Sequence, residues 1–372
     1  MLRMLPCLII VAGLLPAISS ADDALQTLGK SSKDTQQAKA VVQQLLSQKD
    51  LNLTAVLEAM KSQNDIAKNY YLSVAQAVAD REPTQSVEAC KQFLGQRDQD
   101  STARYWAFTY VTTYLPTMRE KLLDSMVDDP CPELRFDAIE LQIKRLETTP
   151  PASTEAKQAA YERLLQLARL PEQVQRVAKT LDESGKKVEL LKHFGFLANW
   201  KVVGPFDNVG QASFNVAYAP EKEYLENKLA GKLDSLKYDG KEKGLTWKPI
   251  ETDKPDGKVD LNAAYNNAKG AVVYAVGSFE SAKNQTAEIR VGSPNAIKVW
   301  VEGKLVVDRE VYHAGDQIDQ YIAPIQLKAG KNSILVKVCQ NEQTEQWAQE
   351  WFFQLRVSDP TGLAIQSSVA SR

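Results

Sequence analysis

The sequence predicts a chain of two architectures: an N-terminal all-α half built from helical repeats and a C-terminal antiparallel β-sandwich. Three observations predict it. From Asp22 to about Val188 apolar residues recur at helical spacing in a stretch rich in Ala, Leu, Gln, Lys and Glu and nearly free of Gly. After Trp200 the spacing changes to a period of two, with many β-branched residues. Between them "LLKHFGFLANWKVVGPFDN", Leu190 to Asn208, begins as the end of a helix and finishes as a strand running into a turn.

The chain opens as a secretory signal peptide over residues 1–21. Arg3 supplies the positive charge, Leu8 to Leu15 the apolar run, and Ser19, Ser20 and Ala21 the small residues before a cleavage site. The run is shorter than a membrane span, so an exported protein is expected, secreted or periplasmic, with no transmembrane segment after cleavage. About 350 residues then remain, enough for two or three domains of ordinary size. The formal charge is −2, and −3 without Arg3, so no basic field favours nucleic acid. Cys90, Cys131 and Cys339 remain after Cys7 is removed, too few for a disulfide framework and without CxxC spacing. One bridge, Cys90 to Cys131, and buried free thiols both stay open.

Residues 22–190 are read as the helical repeat domain. Ala38, Val41, Val42 and Leu45 make one apolar stripe, and Ile139, Ile143 and Leu146 another. Proline-containing breaks at "REPTQ", "DDPCPE", "TTPPAST" and "RLPEQ" divide the segment into helices of ordinary length. "DQDSTARYWA" and "DPCPELRFDA" share Asp, Arg and Ala at the same spacing, with Asp98 and Arg104 answered by Asp129 and Arg135. This resembles HEAT-type repeats, in which an Arg of one unit reaches the Asp of its neighbour; such arrays offer an extended surface to a protein partner.

Residues 191–362 are read as the β-sandwich, with residues 363–372 as a flexible tail. Strands are expected at Ala271–Phe279, Thr286–Ser293, Ala296–Glu310, Tyr321–Leu327, Asn332–Cys339 and Trp351–Asp359, with turns at Glu302-Gly303 and Ala329-Gly330. Trp200–Val203, Trp247–Ile250 and Val259–Leu261 add three shorter ones, the first ended by Gly204-Pro205. No helix-length segment separates the later strands, which excludes a parallel α/β sheet. Phe194, Phe196 and Leu197 are too apolar for a free linker, so burial at the seam is expected.

Ordered landmarks run through this half: Trp-x-x-x-Gly-Pro-Phe at Trp200, Val-Gly-Ser at Val276, Val-Trp-Val-x-Gly at Val299, Leu-Lys-x-Gly-x-Asn at Leu327 and Phe-x-Leu-Arg at Phe353. Together they resemble the galactose-binding-like jelly roll that recurs beside helical repeats in secreted bacterial proteins. The family commonly has Asn-Gly where this chain has Glu302-Gly303. The resemblance implies a binding domain, in many members with a structural calcium, to which Asp253, Asp256 and Asp260 could contribute here.

Candidate chemistry is sparse. Only two histidines are present, and no G-x-S-x-G or phosphate-loop motif occurs. His313, Asp316 and Asp319, at irregular loop spacing, are the remaining candidates for a cation, and His313 and Asp316 with the Trp347 loop for a hydrolase site. The most informative polar run is "CQNEQTEQWAQEWFF", Cys339 to Phe353, crowded with amides, carboxylates and indoles. Sugar binding uses that inventory: an indole covers the apolar face of a pyranose while amides take its hydroxyls. Trp347, Asn341, Gln343 and Gln346 form the expected ligand-binding set. The leading expectation is an exported, non-catalytic protein that binds a carbohydrate or envelope polymer without a cofactor. A purely structural or assembly role is the alternative, in which Trp347 and Trp351 only fill the core.

Overall fold

The computed structural model describes residues 20–31, 33–229 and 231–368; the signal-peptide assignment to residues 1–21 falls almost wholly outside them. Helices occupy the first half and antiparallel sheets the second, as the change of period predicts. The chain divides into two compact units, residues 1–141 and 142–372, so the division between units lies well before the change from helix to strand.

The helices follow their sequence punctuation. They are α1 (Ala21–Lys30), α2 (Thr35–Ser47), α3 (Leu53–Glu58), α4 (Asp65–Ala79), α5 (Pro83–Leu94), α6 (Ser101–Tyr114), α7 (Met118–Leu123), α8 (Pro132–Thr148), α9 (Thr154–Leu167), α10 (Pro171–Glu183) and α11 (Leu190–Phe194). Asp34, Asn52, Asn64, Asp100 and Ser153 each accept a backbone N–H at a helix start, and α5 and α10 begin on the prolines of two of the breaks. In the first unit the core includes Leu28, Val41, Val56, Tyr71, Phe93 and Phe108.

Of the expected charge ladder one Arg–Asp rung forms, Arg104 to Asp129. Arg104 Nη2 donates to Asp129 Oδ2 at 2.6 Å, both side chains buried, and Arg104 Nη1 donates to the carbonyls of Leu94 and Gln96. Arg135 repeats this one unit later, donating to the carbonyls of Asp128 and Asp129. Asp98, expected to be a rung, is exposed and pairs with Lys61; Asp100 instead caps α6 and pairs with Lys68. Cys90 and Cys131 are free, buried thiols, both pushed up to about 12 by burial, so no bridge joins them.

The strands are β1 (Asn199–Asp207), β2 (Lys237–Tyr238), β3 (Leu245–Thr246), β4 (Lys248–Glu251), β5 (Val259–Asp260), β6 (Ala271–Ser281), β7 (Gln285–Gly292), β8 (Ala296–Val301), β9 (Lys304–Arg309), β10 (Tyr321–Leu327), β11 (Gly330–Gln340) and β12 (Phe352–Ser358). Two short helices, α12 (Ala219–Leu225) and α13 (Leu261–Ala264), interrupt them. A six-stranded sheet runs β4-β1-β6-β11-β8-β9 and a four-stranded one β10-β7-β12-β5, every described pairing antiparallel. Val202, Val273, Val299 and Val336 of the first sheet and Ile289, Val291, Phe353 and Leu355 of the second belong to one core.

Gly204-Pro205 does not end β1. The strand continues to Asp207, and the register against β6 shifts between Val203 and Phe206. Gly204 suits the irregularity because a Cβ there would lie 2.8 Å from the Val272 carbonyl. At the seam, Gly195 closes α11 in the left-handed region at φ 70°, and Phe194 and Phe196 are buried. The Glu302-Gly303 turn forms with both residues at positive φ. Glu302 is held there by accepting the Ser333 N–H and pairing with Lys328.

The six-stranded sheet is buried on its outer face as well, which period-two alternation alone does not disclose. Residues 208–229 and 231–247 fold across it, setting Phe214, Tyr224, Tyr238 and Trp247 against Val272, Tyr274, Trp300 and Leu335. Lys337 of β11 points into this layer and is fully buried. Its ammonium donates to the carbonyls of Ser213, Phe214 and Val216 at 2.7–2.9 Å, and Glu221 lies 3.5 Å away.

On the outer face of the four-stranded sheet, Arg356 makes two bonds to Asp319 and donates to the carbonyls of Phe194 and Gly362. Arg290 shares the same carboxylate and also pairs with Glu288. Residues 363–368, expected as the start of a flexible tail, are hydrogen-bonded here: Ala364 bridges Ser358, Ile365 donates to Val357 and Ser368 to Glu280. Ile365, half-buried, packs against the sandwich core.

Two outcomes test this arrangement. Lys337→Met removes the donor shared by three buried carbonyls and is expected to lower stability by about 3 kcal/mol, read as a fall in the thermal midpoint. For Asp319, burial alone would raise the carboxyl, but the hydrogen bonds and charges of Arg356 and Arg290 outweigh it and hold it below the usual carboxylate range. A depressed folded pKa contributes stability above the unfolded value near ~3.9, lost as pH falls through the folded one. Asp319→Asn is therefore expected to cost about 3 kcal/mol in urea unfolding at pH 7, the gap to the parent closing only in more acidic solution.

Candidate functional site

The expected binding residues meet at one rim of the sandwich, where β11 leaves the six-stranded sheet and the chain crosses to β12. Four amides within the protein shape that loop. Asn208, Asn295, Gln340 and Asn341 are all buried. Asn208 Nδ2 donates to the Gln340 carbonyl and to the Tyr312 hydroxyl. Asn295 Nδ2 donates to Gln340 Oε1 at 2.9 Å and to the Glu350 carbonyl at 3.0 Å. Asn262 and Lys269 hold the returning arm through the carbonyls of Gln349 and Ala348. The loop lacks a partner strand, and these side chains supply the backbone bonds a ladder would have made.

On this frame Trp347 sits on a single 3-10 turn, Gln346–Ala348, with 63% of its surface exposed. It is the most exposed large apolar side chain among the described residues, and Val209 and Val311 are exposed as well. The His313 ring stands edge-on to the indole, centroids 4.8 Å apart at 83°. Asn341 lies beneath: its Nδ2 is 2.8 Å from His313 Nε2 and donates to Gln343 Oε1 at 2.8 Å, while its Oδ1 accepts the Gln343 N–H. Glu342 accepts from the Gly210 N–H, tying the rim to the segment after β1.

Of the four residues expected to touch ligand, Trp347 and Gln346 are exposed and Gln343 is half-buried. Asn341 is buried and spends its amide internally, which makes it a support. Sequence reasoning missed Asn208, Asn295 and Gln340. Their signal is an amide at the end of an apolar strand, where alternation calls for a hydrophobe or a turn residue.

The candidate cation ligands do not gather. Asp316 and Asp256 both engage Lys258. Asp260 pairs with Lys254 and caps α13, while Asp253 is exposed. Among the described residues, no group of three or more His, Cys, Asp or Glu is arranged to hold a metal ion. His313 and Asp316 turn to different partners, and His193 lines a separate small cavity with Arg169, Phe194 and Arg356. A larger cavity of about 440 Å³ opens between α9 and α10, lined by Arg163, Leu165, Leu181, Lys186 and Val188 among others.

No family model matches the chain, and no curated protein does. Among solved structures, partial likenesses occur. An anti-sigma factor domain-containing protein is 20% identical over 28% of this chain and 29% of its own, with a TM-score of 0.20. A family 35 carbohydrate binding module from an environmental isolate is 28% identical over 25% of this chain and 68% of its own, with a TM-score of 0.17. The PA14 domain of the MpAFP antifreeze protein is 13% identical over 48% and 77%, with a TM-score of 0.21. The chain thus spans less than a third of the first of these, and at these scores none carries an argument. No helix among the described residues is long and apolar enough to cross a membrane.

The bracing of the rim has a direct test. Asn341→Ala leaves the Gln343 N–H without its acceptor inside the loop and is expected to cost about 2 kcal/mol. Acrylamide quenching of Trp347, isolated by difference from a Trp347→Phe variant, should rise as the loop loosens while quenching of the buried Trp200 and Trp351 stays unchanged.

Proposed function

We propose that this protein binds a carbohydrate or envelope polymer without catalysis, through the rim around Trp347, and is exported to the cell envelope or beyond. The observation that carries the reading is a mostly exposed indole held on a loop fixed by four buried amides. A protein that only needed to fill a core would bury this side chain; here ordering is invested in keeping it in water. An indole face suits the apolar face of a pyranose, and Gln346 and Gln343 lie beside it to meet hydroxyls. The jelly-roll landmarks of the sequence agree with a binding domain of the galactose-binding-like kind. The buried Arg104–Asp129 rung supports a HEAT-like reading of the helices, with a protein partner on their outer surface.

A structural or assembly role is the second reading. It is favoured by Asn341, which is buried and whose amide is engaged by His313 and Gln343.

A glycan array probed with the full chain, alongside Trp347→Ala, separates the two. Binding to a polysaccharide that falls at least about tenfold in the variant is expected, a loss of roughly 1.4 kcal/mol. Equal signals from both proteins across envelope and algal polysaccharides would leave the assembly role standing.

A further inference from the structure

The amide of Asn341 cannot be turned round. Its Oδ1 accepts the backbone N–H of Gln343, so its Nδ2 must face the two other neighbours, His313 Nε2 at 2.8 Å and Gln343 Oε1 at 2.8 Å. An NH2 group only donates, so Nε2 of His313 has to accept with its lone pair. The proton of the neutral imidazole then resides on Nδ1. A second proton, on Nε2, would set N–H against N–H in a half-buried site. The same ring packs edge-on against Trp347, and His313 has a positive φ of 58°.

We infer that His313 is a positioning residue for Trp347: its neutral Nδ1–H form holds the indole in place, and protonation releases it, so that the rim presents its indole at neutral pH and loses it in acid. The consequence for ligand rests on the glycan reading above; the geometry does not. Imidazole is the side chain whose charge changes in this range. The charged groups on the segments that meet here are Glu310, Asp316 and Asp319 on the histidine's own loop, Glu342, Glu345 and Glu350 on the β11–β12 loop, and Lys258 and Lys269 opposite. Asp319 is held by Arg356 and Arg290. Asp316 is taken by Lys258, Glu342 by the Gly210 N–H, and Lys269 by the Ala348 carbonyl. Burial pushes the Tyr312 phenol up to about 12, so it stays neutral throughout. Among the described residues, none of these carboxylates pairs with the His313 ring, and the group that answers it is the Asn341 amide.

Nitrogen–proton NMR spectra of the full chain between pH 8 and pH 5 test this without any ligand, the Trp347 indole signal being identified by its loss in Trp347→Phe. Three results are expected. The His313 ring nitrogens report the Nδ1–H form at pH 8; the Trp347 signal moves with the histidine's midpoint while those of Trp200 and Trp300 hold still; and in His313→Gln, which keeps an acceptor and cannot titrate, the Trp347 signal is flat. An Nε2–H form at pH 8, a Trp347 signal indifferent to the histidine's titration, or the same movement in His313→Gln would each overturn the inference. Affinity for an array-identified polysaccharide should fall about tenfold from pH 7.5 to pH 5 in the parent and not in His313→Gln. If no polysaccharide binds at any pH, the glycan reading fails while the spectroscopic result still decides the role of His313.

Discussion

The second unit depends on one buried ammonium. Lys337 sits inside β11, one of the two eleven-residue strands of the six-stranded sheet, where a hydrophobe would ordinarily cover the outer face, and its ammonium donates to three carbonyls of a single turn. A lysine in that position costs desolvation, which lowers its pKa, and it is tolerable because the turn comes to it. The layer over the sheet is therefore tied at a defined place. With residues 213–216 fixed, Tyr218 can accept its neighbours, Phe206 stacks on Tyr218 at 4.9 Å, and Tyr274 reaches Glu221. An apolar contact would have stabilised the layer without saying where along the strand it should lie.

That registration reaches the rim. The covering segment begins at Asn208, whose side chain binds the last carbonyl of β11, and Gly210 beside it holds Glu342. The exposed indole is thus braced from the sheet through β11 and from the covering layer through Asn208. Buried polar groups divide the work in this unit: Lys337 sets the layer, Arg356 and Asp319 set the seam, and the amides set the loop. Each is satisfied within its own network, the condition under which buried polarity specifies an arrangement without undermining it.

Much of this was legible in the sequence, for identifiable reasons. The strands with β-branched runs were readable because period two is a local property, and Glu302-Gly303 because a hairpin turn needs its glycine. The Arg104–Asp129 rung was readable because it repeats; Asp98 misled because the spacing of the repeat, unlike the cap geometry, does not distinguish it from Asp100. The layer over the six-stranded sheet was not readable. Its residues 209–229 and 231–236 hold only one short helix and two single turns, and Tyr224 or Trp247 acquires its place only from partners far along the chain. The same holds at the rim. Trp347 and Gln346 were identifiable by type, but whether Asn341 faces solvent or the protein depends on His313, twenty-eight residues away, and on Gln343.

The price of order at the rim also bears on what such a surface can do. One indole face and two amides offer little area, and at about 25 cal/mol per Å² such a contact supports weak association once the cost of immobilising a ligand is met. Holding the indole rigid removes the part of that cost that belongs to the protein. The remainder falls on the ligand, and a polymer presents the same unit many times, so that rebinding compensates for a short residence on any one unit. A shallow, preordered aromatic rim is therefore matched to an extended repeating chain and poorly matched to a free monosaccharide, which is why the proposed ligand is a polymer.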